Sequence, residues 1–158
     1  MQPLNSPLEL GVRVLVVLTA CFPRTLDLDQ LVLMDHCLLH SADLGGPPSL
    51  LPAVSTRSGE LGLKRTVLEH GAQLMARAGM VEVVTSEKGL TFRAGEEAAP
   101  FLRLISSPMM RSLSAIAEWA VAEFADLSTE QIRTRMRTVS QQWAEEFALT
   151  PDDKAEHA

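Results

Sequence analysis

The sequence predicts a mostly α-helical fold: a winged helix-turn-helix-like core with one β-hairpin and additional C-terminal helices. Three observations point there. Apolar residues recur at helical spacing in three successive segments of the first half. The period then changes from helical to two after Gly79. Beyond that point, Ser107-Pro108 and Ser128 with Gln131 mark two further helix starts.

The first helix is expected from about Pro7 to Cys21. Ser6 can cap it, and Pro7 fits the first helical position, where a missing N–H costs nothing. Leu10, Val14, Val17, Leu18 and Cys21 share one face, but Leu15 and Val16 make other faces apolar too, so more than one neighbour must cover it. Phe22-Pro23 ends it. The second helix starts at a capping box of Asp27 and Gln30, with Leu26 and Leu31 at the two hydrophobic-staple positions, and ends near Ser41. An irregular stretch follows from Asp43 to Gly62, with four glycines and three prolines. A loop of that length in a small domain is usually functional or disordered. Its apolar residues favour an ordered excursion pinned by prolines.

The third helix is expected from about Leu63 to Ala78, with a stripe of Leu63, Val67, Gly71, Leu74, Met75 and Ala78 and with Gly79 as its C-cap. Next, Val81 and Val83 can match Leu90 and Phe92 across a turn at Ser86-Glu87-Lys88-Gly89, which reads as a hairpin within Met80 to Arg93. Helices from about Glu96 to Ser106 and from Ser107 complete the middle. A last helix starts at Ser128, with Ile132, Met136, Val139, Trp143 and Phe147 as its apolar face. The whole is one winged-helix-like domain over 1–149 with a long internal loop, 43–62, and a disordered polar tail, 150–158.

The connection between the second and third helices departs from the helix-turn-helix pattern, which uses three or four residues there. The winged-helix core has therefore been opened at its turn.

Composition narrows the function. The chain has 158 residues and is 46% hydrophobic, enough for one sizeable core. Its net charge of −6 argues against a general nucleic-acid binder, though a local basic patch remains compatible. Two cysteines in a chain this long make no disulfide framework, so reduced thiols and a cytoplasmic setting are expected. The apolar run Val14 to Phe22 is too short for a membrane span, and MQPLNSP lacks a positive leader region; a buried core helix is the better reading.

Chemistry-bearing candidates are few. His36 and His40 lie four apart, a spacing that can chelate zinc, but no local motif supplies further ligands and no bound metal is expected. No Gly-x-Ser-x-Gly elbow and no phosphate loop occur, and the paired carboxylates fall at helix starts or solvated faces. No catalytic residue and no cofactor is expected. Two sets of binding residues stand out. Lys64, Arg65 and Arg77 on the third helix, with Lys88 on the hairpin, could contact DNA if that helix docks in the major groove. Arg57, Glu60 and Leu50 on the long loop, with Arg133, Arg137 and Trp143 on the last helix, are the candidates for partner binding. Arg133, Arg135 and Arg137 near a helix start oppose the helix dipole, which marks them as placed for something other than helix stability.

Several segments together resemble a known family: Pro7-Leu-Glu-Leu-Gly-Val-Arg13, Leu26-Asp-Leu-Asp-Gln-Leu-Val-Leu33, Gly45-Gly-Pro-Pro-Ser-Leu50, Arg57-Ser-Gly-Glu-Leu61 and Ala98-Ala-Pro-Phe-Leu102. They are similar to the bacterial middle components of ABC-type three-component systems, related to the Lamassu antiphage systems. The resemblance covers about Asn5 to Phe147. It implies a non-enzymatic adaptor between an SMC- or Rad50-like ATPase and an effector, with a nuclease as a common effector class. Other SMC-type complexes use small winged-helix accessory subunits, which agrees with the core read above. The family brings no catalytic residues. Where it commonly carries a histidine after Ser-Leu, this chain has Leu51, which argues against a chemical role for the loop. A winged-helix transcription regulator binding duplex DNA as a homodimer is the rival; a small metal enzyme is a distant third. A homodimer is compatible with either leading reading, nucleic acid would be met weakly or through the complex, and no membrane is implied.

Overall fold

A computed structural model describes residues 6–50, 60–87, 89–128, 130–135 and 137–138. Helix α1 (Pro7–Ala20) starts as the sequence predicts, with Ser6 Oγ accepting from the Glu9 amide and proline at the first helical position. Every residue from Leu10 to Leu18 except Val12 is buried. That all-round burial requires cover from several sides, and the other helices and the sheet supply it. The chain leaves α1 through a cis Phe22–Pro23 peptide. Arg24 then bridges to a segment far along the chain, donating to the Ala125 carbonyl at 2.9 Å and pairing with Asp126.

Leu26 and Asp27 form a short strand, β1, before helix α2 (Leu28–Leu39). The capping box is complete: Asp27 Oδ1 accepts from the Gln30 amide and Gln30 Oε1 from the Asp27 amide. A 3₁₀ turn at Ser41–Leu44 follows, closed by Gly45 at φ 81°, where a side chain would be strained.

Helix α3 (Glu60–Arg77) begins earlier than Leu63, so the irregular connection ends one turn sooner than the glycine content suggests. Its buried face is also rotated from the expected stripe. Leu68, Gly71, Ala72 and Met75 are buried, whereas Leu74 and Ala78 are exposed. The cause is close approach to α1. A Cβ on Gly71 would lie 2.6 Å from the Pro7 carbonyl oxygen and 2.7 Å from the Gly11 nitrogen, and one on Gly11 would lie 2.9 Å from the Gly71 oxygen. Only a face of small residues can sit there, and Leu74 is thereby turned outward.

Strands β2 (Val81–Ser86) and β3 (Gly89–Ala94) form the expected hairpin, with Val83 opposite Phe92 and Gly89 at φ 100°. Pairing of Leu26 and Asp27 with Phe92 and Thr91 adds a third strand that the sequence reading lacked. The sheet is antiparallel in the order β1-β3-β2. Val81, Phe92 and Ala94 face the core, while Val83 and Leu90, 46% and 57% exposed, extend beyond it on the same face.

Helix α4 (Ala98–Leu104) is short, and helix α5 (Pro108–Phe124) is capped by Ser107 Oγ. Met110, Leu113, Ile116, Ala117, Ala120 and Phe124 of α5 complete the core. Helical structure resumes over 130–135 behind a capping box of Ser128 and Gln131, with Ile132 buried. The described fold is thus mostly helical with a small three-stranded sheet.

Gly71→Ala tests the α1–α3 approach. In an exposed helix this change gains about 1 kcal/mol of propensity. Here backbone atoms meet the new methyl, so equilibrium urea unfolding should show a net loss of about 1–3 kcal/mol. A neutral or stabilising result would show that the helices part without cost.

Candidate functional site

Asp35 of α2 is the electrostatic centre of the molecule. It is 2% exposed, and Arg13 of α1, also 2% exposed, meets it through Nε at 2.6 Å and Nη2 at 3.2 Å. Lys64 of α3 approaches the same carboxylate, Nζ to Oδ2 at 2.8 Å. Burial alone would raise the Asp35 pKa; Lys64 and Arg13 outweigh it and hold the carboxyl below its ordinary range. Three helices are joined by one acid and two bases.

His36 and His40 lie beside this cluster, 7% and 8% exposed, with ring centroids 4.8 Å apart. Burial, and then the Lys64 charge, press the His36 pKa down to about 3 and lower that of His40 as well. Both imidazoles are neutral at physiological pH. They lie deeper than two ordinary histidines on a half-buried helix would, and among the described residues no group of three or more metal-ligating side chains forms around them. Burial pushes the Cys37 thiol up to about 12 and raises that of Cys21, so neither supplies a thiolate at neutral pH.

Of the residues proposed for DNA contact, two are engaged by acids of α2. Lys64 points inward to Asp35. Arg65 pairs with Asp29 of α2, not with Glu69 one turn on. Arg77, at the exposed C-terminal end of α3, faces solvent. Lys88 lies outside the described residues. Spacing along α3 could not reveal this, because Asp29 and Asp35 come from a different helix.

The partner-binding candidates divide similarly. Arg133 also reaches Asp29, at 3.1 Å, so one carboxylate joins α2, α3 and the last helix. Arg135 lies over the Phe124 ring at 5.4 Å, and Phe124 meets Trp119 edge to face. Arg137 is exposed and donates to Thr134 Oγ1 at 3.3 Å. Leu50 is partly buried against the core, a packing role at the start of the loop. The described part of that loop is ordered: Ser41 Oγ donates to the Pro47 carbonyl, Ser49 Oγ accepts from the Ala42 amide, and Gly46 lies so close to Trp119 that a Cβ would be 2.5 Å from its ring. Arg57 and Trp143 lie outside the described residues, as do Met136, Val139, Phe147 and the tail 150–158. Glu60 opens α3, and its side chain also lies outside them.

A groove of about 660 Å³ between α1, α4 and α5 is the feature sequence reasoning missed. Thr19 and Ala20 of α1, Leu102 and Arg103 of α4, and Arg111 and Glu118 of α5 are among its lining residues. Its only signal in the sequence was that Ala115 and Ala122 fall on the outer face of α5, where charged residues would be usual.

Replacing Asp35 by Asn should cost about 3–5 kcal/mol, because it removes the counter-charge of the buried Arg13 and the partly buried Lys64. The triple change Arg13→Met, Asp35→Leu and Lys64→Met should recover most of that loss. Chemical unfolding of the three forms checks both.

Stability should also fall with acid through the buried histidines. The His36 pKa is lower folded than unfolded, so the unfolded chain binds the extra proton; the contribution is complete above about pH 6.5 and is lost as the pH falls toward 3. The slope from His36 is about 1.4 kcal/mol per pH unit, and His40 adds in the same direction. The His36→Gln variant should show a flatter stability profile between about pH 6.5 and 4.5. An unchanged profile would mean that His36 is protonated in the native state.

A family profile described as ABC-three component system Middle Component 2 matches residues 3–146. No curated protein matches the chain significantly, and no solved structure does.

Proposed function

Because the chain belongs to the middle component 2 family of ABC-three component systems, we propose that it is a non-enzymatic adaptor subunit. It would link an SMC- or Rad50-like ABC ATPase to an effector, such as a nuclease, in a cytoplasmic bacterial antiphage complex related to Lamassu. The observation that carries this is the family match, which spans all of the described fold. Three features support it. The buried thiols and histidines are electronically quiet, and among the described residues no helix is long and apolar enough to cross a membrane. Large apolar side chains also stand exposed at Leu8, Phe22, Leu74, Val83, Leu90, Leu104 and Met109, as partner contacts require.

We read the core as winged-helix-like. The element order α1-β1-α2-α3-β2-β3 and the sheet order β1-β3-β2 favour this, with β2 and β3 as the wing. That same order favours the second reading, a DNA-binding regulator acting as a homodimer. The engagement of Lys64 with Asp35 and of Arg65 with Asp29 weighs against it, as does the net charge of −6.

Co-purification of the tagged chain from its native operon tests the adaptor: an ATPase and an effector should elute with it. The double variant Arg57→Ala, Glu60→Ala should weaken that assembly while leaving the Tm nearly unchanged. An anisotropy titration at physiological salt should show only weak, sequence-independent DNA binding by the protein alone. A specific operator bound at nanomolar affinity would overturn the adaptor and establish the regulator.

A further inference from the structure

Helix α5 turns one side to the core and the opposite side outward, and Arg111, Ala115, Glu118 and Ala122 form the centre of the outward side. All four are exposed. Arg111 and Glu118 are seven residues apart, which is two helical turns, so they lie on one face about 10 Å apart along the axis. No ion pair within the described residues takes up either charge. The same stripe borders the groove shared with α4 and α1, where Arg111, Ser114, Ala115 and Glu118 are lining residues. At the end of α4, next in the chain to the groove residues Arg103 and Ile105, Leu104 is 83% exposed.

The order of charges along this face is complementary to its own reverse. If a second α5 is laid antiparallel, with the crossing point between Ser114 and Ala115, Arg111 of each copy falls opposite Glu118 of the other. Ser114 falls opposite Ala115, and these small side chains permit close helix approach at the centre. A two-fold axis through that point satisfies both ion pairs at once, as an isologous interface requires. A partner with an unrelated sequence would have to reproduce an acid and a base at that spacing and polarity, whereas a second copy does so by symmetry.

We propose that two copies of this chain associate through the α5 face in this antiparallel arrangement, with reciprocal Arg111–Glu118 pairs. The proposal goes beyond the adaptor reading and does not depend on it.

Sedimentation of the full-length protein over a concentration series tests it, with circular dichroism melting as a control for folding. The wild type should approach a dimer. Arg111→Glu and Glu118→Arg should each weaken the dimer by about tenfold or more, because each places like charges opposite at two symmetry-related positions. The double variant Arg111→Glu, Glu118→Arg restores opposite charges in the reversed sense and should recover the dimer. At a concentration low enough for all forms to be monomeric, the three variants should melt like the wild type, since both side chains are solvent-exposed in the single chain. A wild type that stays monomeric, a dimer indifferent to the single reversals, or a double variant as weak as the singles would each overturn the proposal. If the single reversals instead release the chain from its operon-encoded partners while the free protein is monomeric, the groove serves a different protein; the two-fold arrangement then fails and the adaptor reading stands.

Discussion

Helices α1 and α3 meet backbone to backbone at Gly11 and Gly71, and much of the molecule is arranged around that distance. The Gly71 face cannot accept even one methyl group without moving Pro7 or Gly11. With α3 held there, Lys64 at its other end comes within 2.8 Å of Asp35, and the exposed edge of α3 carries Leu74 and Arg77. Close packing of this kind is unforgiving because interiors have few voids into which a displaced side chain can move. The same approach leaves α1 covered on nearly all sides, which is why a helix with Leu and Val at every register is stable in water only inside this bundle.

The buried charges follow from that geometry. A lone Asp35 carboxylate at this depth would be strongly disfavoured; with Arg13 and Lys64 on either side it is the ionised form that persists. Such a cluster adds little net stability over apolar residues of the same volume, but its bonds are directional and join three helices in a single arrangement. Asp29 does the same nearer the surface, holding Arg65 and Arg133 together. Lys64, Arg65 and Arg133, cations that look available in the sequence, are committed to acids of α2. The functional reading rests on protein surfaces: the loop that follows the 3₁₀ turn, the hairpin beyond Val83 and Leu90, and the outer face of α5.

Much of the architecture was legible in the sequence, and the legible parts are local. Ser6, Asp27 with Gln30, Ser107 and Ser128 with Gln131 each cap a helix through hydrogen bonds spanning three residues, so a short window contains the whole interaction. The hairpin was visible because alternation and a glycine turn lie within fourteen residues, Val81 to Ala94. Strand β1 was not: its two residues, Leu26 and Asp27, carry no periodicity and had already been assigned to the staple and the cap, roles they combine with pairing to β3. The resemblance to the middle components came from short segments spread over the chain, and the matched span, 3–146, agrees with it.

The sequence by itself determined the capped starts of α1, α2 and α5 and where the hairpin turns, because each depends on residues within a turn or two of one another. Only the tertiary structure decided that Lys64 and Arg65 face acids of α2, that Leu68 and Ala72 of α3 are buried while Leu74 and Ala78 turn outward, that His36 and His40 are buried beside an ion cluster, and that α4 and α5 border a groove with α1. Each of those outcomes depends on how closely two helices approach and at what rotation. That distance is set by the side chains of both partners together, and no single segment of the chain contains them.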